Sequence, residues 1–250
     1  MGQRFCVDDY FHIGQMHLGS GKPCQDYSFS GVIDEGAFAI VSDGCSTGRH
    51  TDVGARIIAL STVNALQRWL KAVNTPINKL SQLVTEQHNY AILKSCEAFN
   101  LQLPDMLATC LYACITPTGG LVGVQGDGVI TKVYKDGSIM LAAYRWDNNT
   151  PLYPAYAADN YNSFIKVHGN DPNLSPLQVE YHHYNALGDV QINLQNISLG
   201  EAIKGVTQKI SGDEATELSF LAVFTDGVMQ VEGIHWKDAV LQLLAFKNVE

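Results

Sequence analysis

Residues 37–48 read AFAIVSDGCSTG. The apolar run Phe38-Ala39-Ile40-Val41 leads into Ser42-Asp43-Gly44 and then into a loop rich in Cys, Ser, Thr and Gly. A short apolar run bounded by turn residues reads as a buried strand. A strand ending in Asp-Gly carries a carboxylate on a rigid edge, with a backbone carbonyl beside it. The pattern returns at 221–227, LAVFTDG, and more loosely at 121–128, LVGVQGDG. Three strand ends with three aspartates suggest one site assembled by several strands.

Working outward, Cys24-Gln25-Asp26-Tyr27-Ser28-Phe29 alternates as a strand does, and Asp34-Glu35-Gly36 turns the chain back. A hairpin here lays Asp26 beside Asp43. Downstream, Val53, Ile57, Leu60, Val63 and Leu66 fit a 3.6-residue period, which predicts a helix over 52–73 closed by Asn74-Thr75-Pro76. Residues 79–99 predict a second helix. Core packing accounts for both. Strands follow at 107–115, 121–125 and 130–134. Asp136-Gly137 then sits between two strand patterns and reads as a hairpin turn without chemistry. Residues 144–190, polar and rich in Tyr and Asn, read as a lid or insertion over one edge. His182-His183 offers two metal-ligand types, but it falls in a strand pattern, where neighbours point to opposite faces, which favours an incidental pair. Residues 1–20 read as edge strands, 199–210 as a short helix, 218–224 as a strand and 236–246 as a helix. The pattern predicts an α+β fold, with helices packed on largely antiparallel sheets.

The 250 residues are 46% hydrophobic and 16% charged, enough apolar material for a core and unlike a disordered chain. We expect a single domain over 1–250. The formal net charge of −9 argues against nucleic acid as a partner. The start, MGQRFCVDDYFHIG, shows no secretory pattern, and Cys6 stands where a myristoylation motif wants Ser or Thr. No run approaches the ~18 apolar residues of a membrane span. A cytoplasmic protein without a membrane partner is therefore expected. Six cysteines with no Cys-x-x-Cys pair predict reduced thiols, mostly in the core, with Cys45 in the motif loop as the exception.

Clustered carboxylates and backbone carbonyls suit Mg²⁺ or Mn²⁺. Two such ions about 3.5–4 Å apart can share a bridging carboxylate and polarise a phosphoryl oxygen. Taken singly, each Asp-Gly is a common turn. Their order carries more weight. Gln25-Asp26, VSDGCSTG at 41–48 with VGARIIA at 53–59, DMLATCLYACI at 105–115, GDGV at 126–129 and FTDGV at 224–228 stand in sequence. In that order they resemble the motifs of the type 2C metal-dependent protein serine/threonine phosphatases, in a bacterial-like form.

The resemblance implies an αββα sandwich, two antiparallel sheets flanked by helices. It implies hydrolysis of phosphoserine or phosphothreonine by a metal-bound water, with a phosphorylated protein as substrate and a cognate kinase system as partner. By carry-over, Asp43 bridges two Mn²⁺ or Mg²⁺ ions and Gly44 lends its carbonyl. Asp26 holds the second metal through water, Asp226 binds the first, and Asp127 serves a third, weaker site. The family's phosphate-gripping arginine falls at Gly21, so Lys22 and Arg49 are the candidates to replace it. DGxGG becomes DGCST, GDSR becomes GDGV, and the closing Asp-Asn or Asp-Asp is not found before Glu250. These departures keep two alternatives open: a catalytically impaired phosphoprotein-binding regulator, and a small-molecule phosphomonoesterase.

Overall fold

The computed structural model describes residues 5–34, 36–72, 76–169 and 171–245. Ten strands form two antiparallel five-stranded sheets. The first contains β1 (Asp26–Ile33), β2 (Gly36–Asp43), β3 (Cys110–Thr116), β4 (Gly119–Gln125) and β9 (Val206–Ser211), in that spatial order. The second runs β10 (Leu218–Phe224), β5 (Gly128–Tyr134), β6 (Ile139–Trp146), β7 (Leu177–Tyr184) and β8 (Val190–Ile197).

Strict alternation explains why the sheets stack. Along β3, Leu111 and Ala113 enter the core between the sheets, while Cys110, Tyr112 and Cys114 turn to the opposite face. Along β6, Met140, Ala142, Tyr144 and Trp146 face the inter-sheet core, and Leu141 and Ala143 face away. With both faces covered, these strands read as continuous apolar runs, like the run at 38–41. The outer face of the first sheet is covered by α2 (Thr51–Lys71) and α3 (Leu80–Phe99) through Ile58, Leu66, Val84 and Ile92. The outer face of the second is covered by α7 (Trp236–Leu243) through Trp236 and Val240. Each fully buried side chain of this size contributes about 1.5–3 kcal/mol. The result is the expected αββα sandwich.

Local chemistry overrides two expectations. Residues 5–14 form no strand, and α1 (Gln15–Ser20) follows, stopped by Gly21 at φ 67. This segment meets β1 through side chains instead: Ser28 and Ser30 donate to the Asp9 carboxylate at 2.7 Å each. The helix expected at 199–210 shrinks to α5 (Leu199–Ala202), capped by Ser198. Gly205, at φ 88, then releases the alternating residues of β9. The short helix α6 (Gly212–Glu217) links β9 to β10. All six cysteines are free, but only Cys110 and Cys114 are buried; Cys24, Cys45 and Cys96 are half-buried and Cys6 exposed. Cys96 lies on α3, Cys45 in the loop after β2 and Cys6 in the N-terminal segment, where a thiol is only partly covered.

The polar stretch 144–190 divides. Residues 144–146 belong to β6, 177–184 to β7 and 190 to β8; apart from the hairpin turn at 185–189, only 147–176 leaves the sheet, carrying α4 (Asn162–His168). Met1-Gly2, Glu35, Asn74-Thr75 and Phe246, all parts of the sequence reading, lie outside the described residues. Among the described residues, no helix is long and apolar enough to cross a membrane.

Candidate active site

Four aspartates collect at one end of the sandwich because four strand ends meet there. Asp26 opens β1, Asp43 closes β2, and the ladder sets them directly opposite each other. Asp127 immediately precedes β5. Asp226 lies two residues beyond β10, whose Phe224 pairs with Val129 of β5. The β2 end is pinned to the start of β3. Thr109 accepts from the Asp43 N–H at 2.9 Å through its hydroxyl and donates its own N–H to the Asp43 carbonyl at 2.8 Å. Ser42 donates to the Thr109 carbonyl at 2.6 Å.

The glycines around these carboxylates answer to close packing. A Cβ on Gly44 would stand 2.5 Å from the Thr51 carbonyl oxygen, so the loop can pass beneath the start of α2 only as glycine. Gly128, at φ +142, has the Phe224 carbonyl oxygen 2.3 Å from the place of a Cβ. That contact brings the Asp127 and Asp226 loops together.

Crowding dominates the electrostatics. Burial and then the Asp26 charge push the Asp43 carboxyl far above the usual carboxylate range, aided by a hydrogen bond with Asp226 and the charges of Asp226 and Asp127. Asp127 is pushed up to about 7 by burial and by Asp226. Asp26 is pushed up to about 6 by burial and Asp226, with His17 and a Thr225 hydrogen bond pulling the other way. Gln230 donates to Asp226 at 2.6 Å. Asp43 and Asp226 share a hydrogen bond, and among the described residues no three His, Cys, Asp or Glu side chains stand around one point. Nevertheless, carboxylates held together in a partly buried place, with nearby backbone carbonyls, form the donor set that hard divalent cations prefer. The donor types, carboxylate and carbonyl oxygen, are those such ions take.

The two basic candidates are both exposed. Lys22 is exposed and donates to the Ser46 carbonyl at 3.2 Å, so it braces the loop after Asp43. Arg49 is exposed in the same loop. Gly44 is buried, its N–H bonded to the Gln25 carbonyl at 3.0 Å.

Several neighbours have no sequence motif to announce them. Trp146 donates from Nε1 to the buried Gly126 carbonyl at 2.7 Å and so holds the Asp127 loop. Its indole packs edge-on against Phe164 of α4, with ring centroids 5.6 Å apart, tying the 147–176 excursion to that loop. Tyr153, from the same excursion, bonds Cys45 and comes within electrostatic reach of Asp127 and Asp43. Burial pushes the Cys45 thiol up, but hydrogen bonds from Thr47, Tyr153 and Gly48 outweigh it and hold the thiol below its ordinary value. The only sequence signal for this layer is the aromatic enrichment of the polar stretch.

The family model of protein phosphatase 2C matches residues 13–246. The chain belongs to the protein phosphatase 2C family. No curated protein matches it significantly. Solved structures similar to it include a stage II sporulation E family protein from Thermanaerovibrio acidaminovorans, with 15% identity and a TM-score of 0.35. That match covers 44% of this chain and 50% of the other, so the chain spans about half the length of that protein. The S. agalactiae serine/threonine phosphatase is 13% identical, with a TM-score of 0.43 over 91% of this chain and 82% of its own. Serine/threonine phosphatase Stp1 from Staphylococcus aureus is 10% identical, with a TM-score of 0.43 over 98% and 88%. The assignment to the protein phosphatase 2C family rests on the family match.

Proposed function

We propose that this chain hydrolyses phosphoserine or phosphothreonine in proteins with the help of two Mn²⁺ or Mg²⁺ ions. The observation that carries the reading is the gathering of Asp26, Asp43, Asp127 and Asp226 at one sandwich end in a protein phosphatase 2C chain. Asp43 would bridge the pair, with Asp226 and the Gly44 carbonyl on the first ion and Asp26 on the second. Asp127 would serve a third, weaker site. When bound, the ions supply Lewis-acid activation of water and of the phosphoryl oxygens. The chain's own part is orientation. The Thr109 bonds fix the Asp43 backbone, the Trp146 bond fixes the Asp127 loop, and the excursion with Tyr153 shields the Cys45 side from solvent. Arg49, on the loop beyond Asp43, and Lys22, bonded to that loop, supply positive charge for an incoming phosphoprotein. We read residues 1–250 as one phosphatase-like unit, with 147–176 as the cover of its site.

The position of Lys22 favours a second reading. With its ammonium on the Ser46 carbonyl, Lys22 is engaged as a point charge and offers no bidentate grip on a phosphate. A protein that binds phosphorylated partners with little turnover is then the alternative. The test is hydrolysis of a phosphothreonine peptide and a small phosphate ester by the full chain with Mn²⁺, using Asp43→Asn as control. Metal-dependent turnover of the peptide, lost in Asp43→Asn, is the expected result. Binding of the peptide without turnover selects the regulator, and turnover of the ester alone selects the small-molecule enzyme.

A further inference from the structure

The ends of the two sheets are treated differently. At the β1 edge the chain wraps round, because Asp9 bonds Ser28 and Ser30 on one face and Phe11 lies 5.4 Å from Tyr27 on the other. The β9 edge carries a charge, Lys209. The β10 edge is broken by a register shift between Leu218 and Phe220. Wrapping, charge and irregularity are the usual ways in which a sheet edge is kept from pairing with another chain.

Among the described residues, the β8 edge has none of these. Its sequence, VQINLQNI, contains no charge, proline or glycine, and it pairs with β7 over eight residues without a break. Seven of its eight residues are exposed. Val190, Ile192 and Leu194 are 48%, 55% and 59% exposed and share one face, opposite Tyr184, His182 and Glu180 of β7. That is the α7 face, since the His182 ring lies 5.4 Å from Trp236. Gln191, Asn193 and Gln195 fill the other face.

We propose that β8 joins two copies of this chain, edge to edge and antiparallel, so that two five-stranded sheets become one continuous ten-stranded sheet. A two-fold axis perpendicular to the sheet keeps each face on its own side. Centred on Ile192, it sets Ile192 against itself, Val190 against Leu194 and Gln191 against Asn193. Apolar residues then meet apolar residues. Amides, which both donate and accept, meet amides. Charge points the same way. The chain carries −9 overall, yet the paired strand is neutral, so the contact sets no like charges directly opposite each other. The pattern is complementary to itself, which selects a second copy over a basic or acidic peptide. A single strand edge with one apolar stripe lies at the small end of specific interfaces, so a dissociation constant of roughly 1–100 µM is expected.

Sedimentation of the full chain across that concentration range tests the contact. The wild type is expected to pass from monomer to dimer. Ile192→Lys should stay monomeric with its melting temperature unchanged, because the site is exposed. In a Cys6→Ser background, Ile192→Cys should form a disulfide-linked dimer under mild oxidation. Leu187→Cys, 90% exposed in the turn before β8, should not. A wild type that remains monomeric throughout overturns the proposal. So does a dimer indifferent to Ile192→Lys, or equal cross-linking through Leu187→Cys. The test is independent of phosphatase activity.

Discussion

Asp43 is set opposite one carboxylate by the ladder and hydrogen-bonded to another, so its chemistry is decided by neighbours far away in sequence. The same holds for His88, which no motif marks. It is buried on α3, 2.7 Å from the Thr62 hydroxyl of α2, and Thr62 gives its own proton to the Ile58 carbonyl at 2.8 Å. The imidazole therefore donates through Nε2 and is held neutral. Burial lowers it to about 4, with a Gln125 hydrogen bond only partly offsetting this. The unfolded chain takes up the proton near pH 6.5, before the folded one does. Stability from this group is thus full above pH 6.5 and drains away as pH falls toward 4, by up to roughly 3 kcal/mol. Urea titrations from pH 7 to 4 should show a shallower acid loss in His88→Asn than in the wild type.

Elements were legible where one physical pattern spoke alone. The strand ending at Asp43, the hairpin pairing it with Asp26, and the helices over 51–71 and 80–99 follow from unbroken apolar runs or a 3.6-residue period. Residues 5–20 and 206–211 were misread because a few apolar residues fit either element there, and glycines at 21 and 205 decided the outcome. The two Asp-Gly pairs at 127–128 and 136–137 look alike in sequence. Both glycines have positive φ, yet a Cβ on Gly137 meets nothing within 4 Å, whereas on Gly128 it strikes the Phe224 carbonyl. Gly137→Ala should therefore cost about 1 kcal/mol through backbone strain alone. Gly128→Ala should cost about 3 kcal/mol or more, since β5 and β10 must also part. Thermal melts of the two variants check the difference.

Across the whole molecule, a fold that crowds carboxylates at one end stores repulsion that cations can relieve. Mn²⁺ at about 100 times its dissociation constant should stabilise the protein by roughly 2.7 kcal/mol, raising the melting temperature by about 5–10 °C. Asp43→Asn removes the carboxyl whose ionisation burial and the neighbouring aspartates oppose most. Without metal it should melt higher than the wild type, by on the order of 1 kcal/mol or more in stability, and its response to Mn²⁺ should be largely lost. Calorimetry with and without the ion reads both effects. A variant that melts lower without metal and still gains fully from Mn²⁺ would contradict this account of the cluster.

The sequence by itself determined the strand-end aspartates, the two long helices, the sandwich and the family. Each of these is written in local periodicity or in the order of short motifs. Only the tertiary structure decided that Trp146 clamps the Gly126 carbonyl, that Tyr153 reaches Cys45, that Lys22 braces Ser46 and that seven residues of β8 are exposed. Those contacts join residues across loops whose path is set by packing and glycine geometry, and no one-dimensional period records where such a path closes.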